Sequence, residues 1–391
     1  MVVRLRWAYE HAREQQRMSD TAQAVEGEDD GDPLSSAVVP TVGTVLAALT
    51  AAALAIPARA GTDELALWIA AVGALLTTGL FLTRRHELIE RRIAGPVAAG
   101  SSLLVVVLSG YAITQGVYGS VVVPGLEWSI SLLFLAFFVG AGTVGLGVAE
   151  FAGVSGRGLY RRLALSLELL VLGVIGLFGI SIAQLFLSLP VVLTGAELSA
   201  LQGRLIEYLS FGLGLGAVAA GYLAFRDHDL SFIDLETPTR WTVGWIVLGL
   251  GLIFGVNLAI SSLMSAAGIE GSSHSLTQDV IDQPELLFVI VPAMVFIVGP
   301  FEELLYRNII QKSLYGTFSR YGAVVVASVV FTLVHIAAYA TAGAGQILAS
   351  LSLLFVLSMI LGVLYVRTAN LLVPALVHGL YNAVVVLMII V

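Results

Sequence analysis

Two adjacent carboxylates, Glu302 and Glu303, follow directly on an apolar run, and two histidines, His335 and His378, lie inside later apolar stretches. Ionisable groups are costly in such segments and call for a compensating role. Arg307 stands four residues after Glu303, on the same helical face and in the favourable acid-before-base order. It can therefore orient and neutralise one carboxylate and leave the other to do chemistry. His378 and Asn382 share the same i, i+4 spacing, which points both side chains into one space. A glutamate can deprotonate a water that a histidine shares or holds. A second histidine with an asparagine amide can stabilise an oxyanion on a peptide carbonyl. The chain has no cysteine, and no serine or threonine lies at helical spacing from a histidine with an acid behind it. Water attack on an amide is the natural reading. The alternative is a divalent metal such as zinc, held by Glu302, His335 and His378 and activating the water. The H-E-x-x-H helix motif is absent, so a metal is not required.

The elements that must position these groups are membrane helices. Of 391 residues, 58% are hydrophobic and 12% charged, and mean hydropathy is +0.94. A soluble domain carries about 25% charged residues, so a single water-soluble domain, a disordered chain and a nucleic-acid binder are excluded. Eleven apolar stretches are long enough to span hydrocarbon: 37–58, 65–82, 96–118, 128–152, 163–190, 205–225, 241–263, 285–311, 321–341, 346–366 and 371–391. Backbone groups in lipid must be satisfied within each segment. The expected fold is an all-α, polytopic transmembrane bundle of about 11 spans. Residues 1–36 read as a hydrophilic cytoplasmic tail, 37–284 as N-terminal membrane helices of open role, and 285–391 as a catalytic membrane core.

With alternating spans, Arg84, Arg85, Arg91, Arg92, Arg157, Arg161, Arg162, Arg226, Arg240, Lys312, Arg320 and Arg367 fall on one side together with the N-terminal arginines. The positive-inside rule makes that side the cytoplasm. Of 19 basic residues, only Arg59 and Arg204 fall opposite, and Arg307 lies within a span. At 1.5 Å per residue, Glu302 is ~15 Å from Lys312, His335 ~22 Å from Arg320 and His378 ~16 Å from Arg367. Three helices thus carry two acids and two imidazoles to similar depth. The Gly299-Pro300 pair is expected to break and restart its helix, placing Glu302 and Glu303 near a positive helix end. Clusters such as Gly140, Gly142, Gly145, Gly147 and Gly212, Gly214, Gly216 read as close-packing faces.

Glu302-Glu303-Leu304-Leu305-Tyr306-Arg307 reads E-E-x-x-x-R, Phe331 to His335 reads F-x-x-x-H, and His378 to Asn382 reads H-x-x-x-N. In this order on successive apolar helices, they resemble the CPBP family of intramembrane endopeptidases, which includes CAAX prenyl proteases and bacteriocin-processing enzymes. The resemblance covers residues 286–391. It implies that Glu302 and His335 activate the attacking water, that His378 and Asn382 form the oxyanion hole, and that Glu303 and Arg307 support them. It also implies a membrane-associated peptide or protein substrate, CAAX-type in some members, lipid as surroundings, and either glutamate- or metal-dependent chemistry. The first ~285 residues exceed what the family core requires. A proton-coupled transporter or a catalytically idle scaffold are the competing readings; the former should show paired broken helices in inverted repeats.

Overall fold

A helix occupies most of each of the eleven apolar stretches in the computed structural model, which describes residues 37–59, 65–122, 125 and 129–390. The expected tail, 1–36, lies outside the described residues. The helices are α1 (Val38–Arg59), α2 (Leu65–Arg85), α3 (Arg91–Thr114), α4 (Leu132–Ala152), α5 (Gly156–Thr194), α6 (Ala200–Phe225) and α7 (Arg240–Ala266), then a short α8 (Leu276–Asp282), α9 (Pro284–Leu314), α10 (Arg320–Val334), α11 (Ala344–Thr368) and α12 (Leu372–Leu387). A two-stranded antiparallel hairpin pairs Ser120–Val122 with Ser129–Ser131. Among the described residues, nine helices are long and apolar enough to cross a membrane, and α10 and α12 are apolar but shorter. The chain is an all-α integral membrane protein.

Close packing divides it into two compact units, residues 1–164 and 165–391, with the boundary inside α5. In the first unit α3 and α4 meet backbone to backbone. A Cβ on Gly95 would stand 2.6 Å from Phe151 N, and one on Gly147 2.6 Å from Ala99 N. Of the four glycines in that run, Gly140 and Gly147 face neighbours, whereas Gly142 and Gly145 face open space. Thr77 Oγ1 lies 2.7 Å from Ser101 Oγ, and Thr143 Oγ1 donates to Ser102 Oγ at 2.9 Å, so hydroxyls tie α2, α3 and α4 together. Arg84 Nε pairs with the buried Glu150 at 2.7 Å.

In the second unit α9 occupies the centre, and all seven residues from Leu305 to Gln311 are buried. Gly212, Gly214 and Gly216 of α6 all meet neighbours, Ile297 and Phe301 of α9 among them. Arg204 pairs with Glu207 at 2.8 Å and with Asp279 at 2.6 Å.

The expected break at Gly299-Pro300 does not occur. Helix α9 runs through both residues, with α-helical backbone angles at Gly299 (φ −53°, ψ −56°). The proline has no N–H for the ordinary ladder, and wider π-helical turns at Met294–Val298 and Leu304–Gln311 flank it and absorb the mismatch. Glu302 and Glu303 therefore lie in mid-helix and not at a free positive end.

Candidate active site

Helix α10 ends where its histidine is needed. His335 caps it at φ −88°, ψ −1°, and its backbone N–H bonds Thr332 O at 3.2 Å. That turn releases the carbonyl of Phe331 from the helical ladder, and His335 Nδ1 takes it at 2.7 Å. A carbonyl only accepts, so Nδ1 carries the proton, and the neutral ring presents Nε2 as a lone pair. His335 Nε2 lies 3.4 Å from Glu302 Oε1.

His378 is fixed by the same logic on α12. Its Nδ1 donates to Glu303 Oε1 at 2.9 Å, and its Nε2 lies 3.5 Å from Glu302 Oε2. Glu303 is held from its other oxygen by Arg307 Nε at 3.0 Å, and both residues are fully buried. Arg307 continues through Nη2 to Ser358 Oγ on α11 at 2.7 Å. Phe331 is the common neighbour: its ring centroid is 4.2 Å from that of His335, 5.9 Å from that of His378 and 5.0 Å from that of Tyr306, and Arg307 lies over its face at 5.5 Å. The structure thus brings Glu302, Glu303, Arg307, His335 and His378 together on three helices. Asn382, one turn past His378, is half-buried, and among the described residues no hydrogen bond joins it to the cluster.

Backbone proximity makes this possible. A Cβ on Gly299 would stand 2.5 Å from Ala375 O, and one on Gly379 2.6 Å from Met294 O. Only glycine at both positions lets α9 and α12 approach closely enough for Glu303 to meet His378. Overpacking of this kind costs about 1–3 kcal/mol and shifts backbone. Gly379→Ala is expected to lower thermal stability by that amount and to reduce any cleavage activity at least about tenfold, read by a melting curve and an initial rate on the same preparation.

Charge bookkeeping follows from the pairing. Arg307 compensates Glu303, which leaves Glu302 as a nearly buried carboxylate at 6% exposure between two imidazoles. An uncompensated charge there is expensive. The set can pass a proton between a carboxylate and two ring nitrogens without net charge change. Glu302, His335 and His378 are also the residues that would face a metal. Among the described residues, however, no group of three or more His, Asp or Glu side chains is arranged to hold one.

Several partners of the cluster do not stand out in the chain. Ser358 reads as one more small residue in an apolar helix. Asn308 and Gln311 gain their roles from the π-turn: Asn308 Oδ1 accepts from Asp234 N at 2.8 Å and from Tyr365 Oη at 3.0 Å, and Gln311 Nε2 donates to Gly362 O at 3.1 Å. Asp234 also meets Lys312 Nζ at 2.7 Å and Tyr365 Oη at 2.5 Å. The loop after α6 is thereby latched to the same turn that carries Arg307. The signal was a run of polar residues, Arg307, Asn308, Gln311 and Lys312, inside an otherwise apolar span.

Comparison with protein families reaches the helices that carry these residues. Residues 284–384 match the model of the Rce1-like family, described as type II CAAX prenyl endopeptidase Rce1-like. This part of the chain is similar to that family. The match is consistent with the CPBP resemblance and contains all three motifs. No curated protein and no solved structure matches the chain.

Proposed function

We propose that the chain is an intramembrane endopeptidase that hydrolyses a peptide bond of a membrane-associated substrate with a water activated by Glu302 and His335. The supporting observation is that both imidazoles are pinned through Nδ1 and aim Nε2 at the two oxygens of one carboxylate. In the reaction, the Glu302 carboxylate takes a proton from water, and the water oxygen bonds to the scissile carbonyl carbon as the carbonyl electron pair moves onto its oxygen. His378, when protonated on Nε2, donates to that oxyanion together with the Asn382 amide. Collapse breaks the C–N bond, and the proton held by Glu302 and His335 passes to the leaving nitrogen. Glu303 and Arg307 hold His378 in orientation.

The Rce1-like match supports a substrate of the prenylated CAAX type. We place the chain in the plasma membrane; the arginine distribution supports basic loops and an N-terminus in the cytoplasm. The test is mass-spectrometric analysis of a farnesylated CAAX-type peptide incubated with purified protein, with and without a strong chelator. The reading expects one defined internal cleavage, abolished by His335→Ala and retained in chelator. Loss of activity in chelator, restored by zinc, would move water activation to a metal on Glu302, His335 and His378. Cleavage unchanged in His335→Ala would contradict the mechanism.

A further inference from the structure

With both imidazoles pinned through Nδ1, the Asn382 amide is the donor the neutral cluster keeps for a peptide oxygen. In the neutral state His335 and His378 both spend their single proton on Nδ1, toward Phe331 O and Glu303, and Glu302 and Glu303 are acceptors. A peptide substrate presents carbonyl oxygens, and a C-terminal one also a carboxylate; all of these need donors.

A third imidazole of the opposite tautomer lies at the rim. The loop between α7 and α8 is tied to the segment that follows His335: Ser275 N donates to Ala338 O at 2.9 Å, and Thr341 Oγ1 to Ser273 O at 2.7 Å. It is tied to the start of α11 as well, through Ser272 N to Gln346 O at 3.2 Å and Ser350 Oγ to Ser272 O at 2.8 Å. These bonds set His274 edge-on against Tyr339, with ring centroids 5.3 Å apart. Tyr339 closes the one-turn helix Ile336–Tyr339 that starts at His335. His274 Nδ1 accepts from Leu276 N at 3.1 Å, so its proton is on Nε2, on the ring edge turned away from the loop backbone. The residue keeps an exposed edge. Desolvation and the neighbouring His335 hold its pKa below the ordinary histidine value, against an opposing pull from Glu302. It therefore stays a neutral N–H donor near neutral pH and feels both inner groups.

We propose that His274 is a specificity-determining residue of this site, donating its Nε2–H to a carbonyl or carboxylate oxygen of the bound peptide. The inference rests on the peptidase reading for the nature of the ligand, but its test does not require turnover. Binding of a dye-labelled farnesylated CAAX-type peptide is measured by fluorescence anisotropy to Glu302→Gln protein and to the same protein carrying His274→Ala. Loss of one hydrogen bond predicts Kd weaker by about tenfold, with partial recovery in His274→Gln, which restores a donor. Thr341→Val, which loosens the loop and keeps the imidazole, should change Kd less than His274→Ala. A carboxyl-amidated peptide distinguishes the two oxygens: a smaller effect of His274→Ala on it assigns the terminal carboxylate, an equal effect a peptide carbonyl. Equal Kd with and without His274 overturns the proposal even if the wild-type protein cleaves. A His274-dependent Kd in a protein that never cleaves would uphold the proposal and remove the peptidase.

Discussion

Glu302→Gln is expected to lower the rate of peptide cleavage by about 10³-fold or more while leaving the fold intact. A positioned general base contributes typically 10²–10⁴, and in the proposed reaction the same carboxylate also delivers the proton to the leaving nitrogen. Glutamine keeps the volume and one carbonyl oxygen, but it cannot take a proton from water. The substitution should also spare the architecture. Glu302 contacts His335 and His378 at 3.4 and 3.5 Å, longer than the bonds that pin either ring, and each ring has its own anchor through Nδ1. Peptide affinity should stay within a few-fold of wild type, and the melting temperature should hardly move. A rate within tenfold of wild type would show that another group activates the water.

Arg307→Leu should have the largest effect on stability. Arg307 and Glu303 are both 0% exposed, and the guanidinium is bonded to Glu303 and Ser358. Removing one partner of such a pair leaves a buried charge and typically costs about 3–5 kcal/mol. The remaining carboxylate would retain His378 as its only bonded partner among the described residues. The double variant Glu303→Gln with Arg307→Leu removes both charges and should recover much of that loss in a melting experiment. Activity should not return with stability, because His378 would then lack the carboxylate that fixes its proton on Nδ1. Recovery of both together would reduce Glu303 to a purely structural role.

The contrast between these residues shows what a chain of this kind reveals. Glu303 with Arg307 is a local i, i+4 pair, and its geometry can be read directly from spacing. His335 and His378 are conspicuous because any ionisable group within an apolar span needs a reason to be there. The same rule fails for Ser358, whose hydroxyl can satisfy itself on its own helix, so a serine there carries no signal. It becomes visible only when α11 is laid against α9, 51 residues away in the chain. Asp234 is hidden for the complementary reason: an acid in a polar loop is unremarkable until Lys312 and Tyr365 meet it. The continuity of α9 through Pro300 is not legible in the chain because proline's missing N–H is a local fact, whereas the π-turns that absorb it belong to the packed helix, the second of them buried from Leu305 to Gln311. The two histidine helices, read as full spans, are shorter because His335 ends α10 early and α12 runs only from Leu372 to Leu387.

Hydrolysis of a membrane peptide in ¹⁸O-labelled water tests the account at its centre. Wild-type protein should release a product carrying one ¹⁸O in the newly formed carboxylate, and Glu302→Gln, at equal concentration and equal peptide occupancy, should release essentially none. Labelled product at the same rate from both proteins would contradict it.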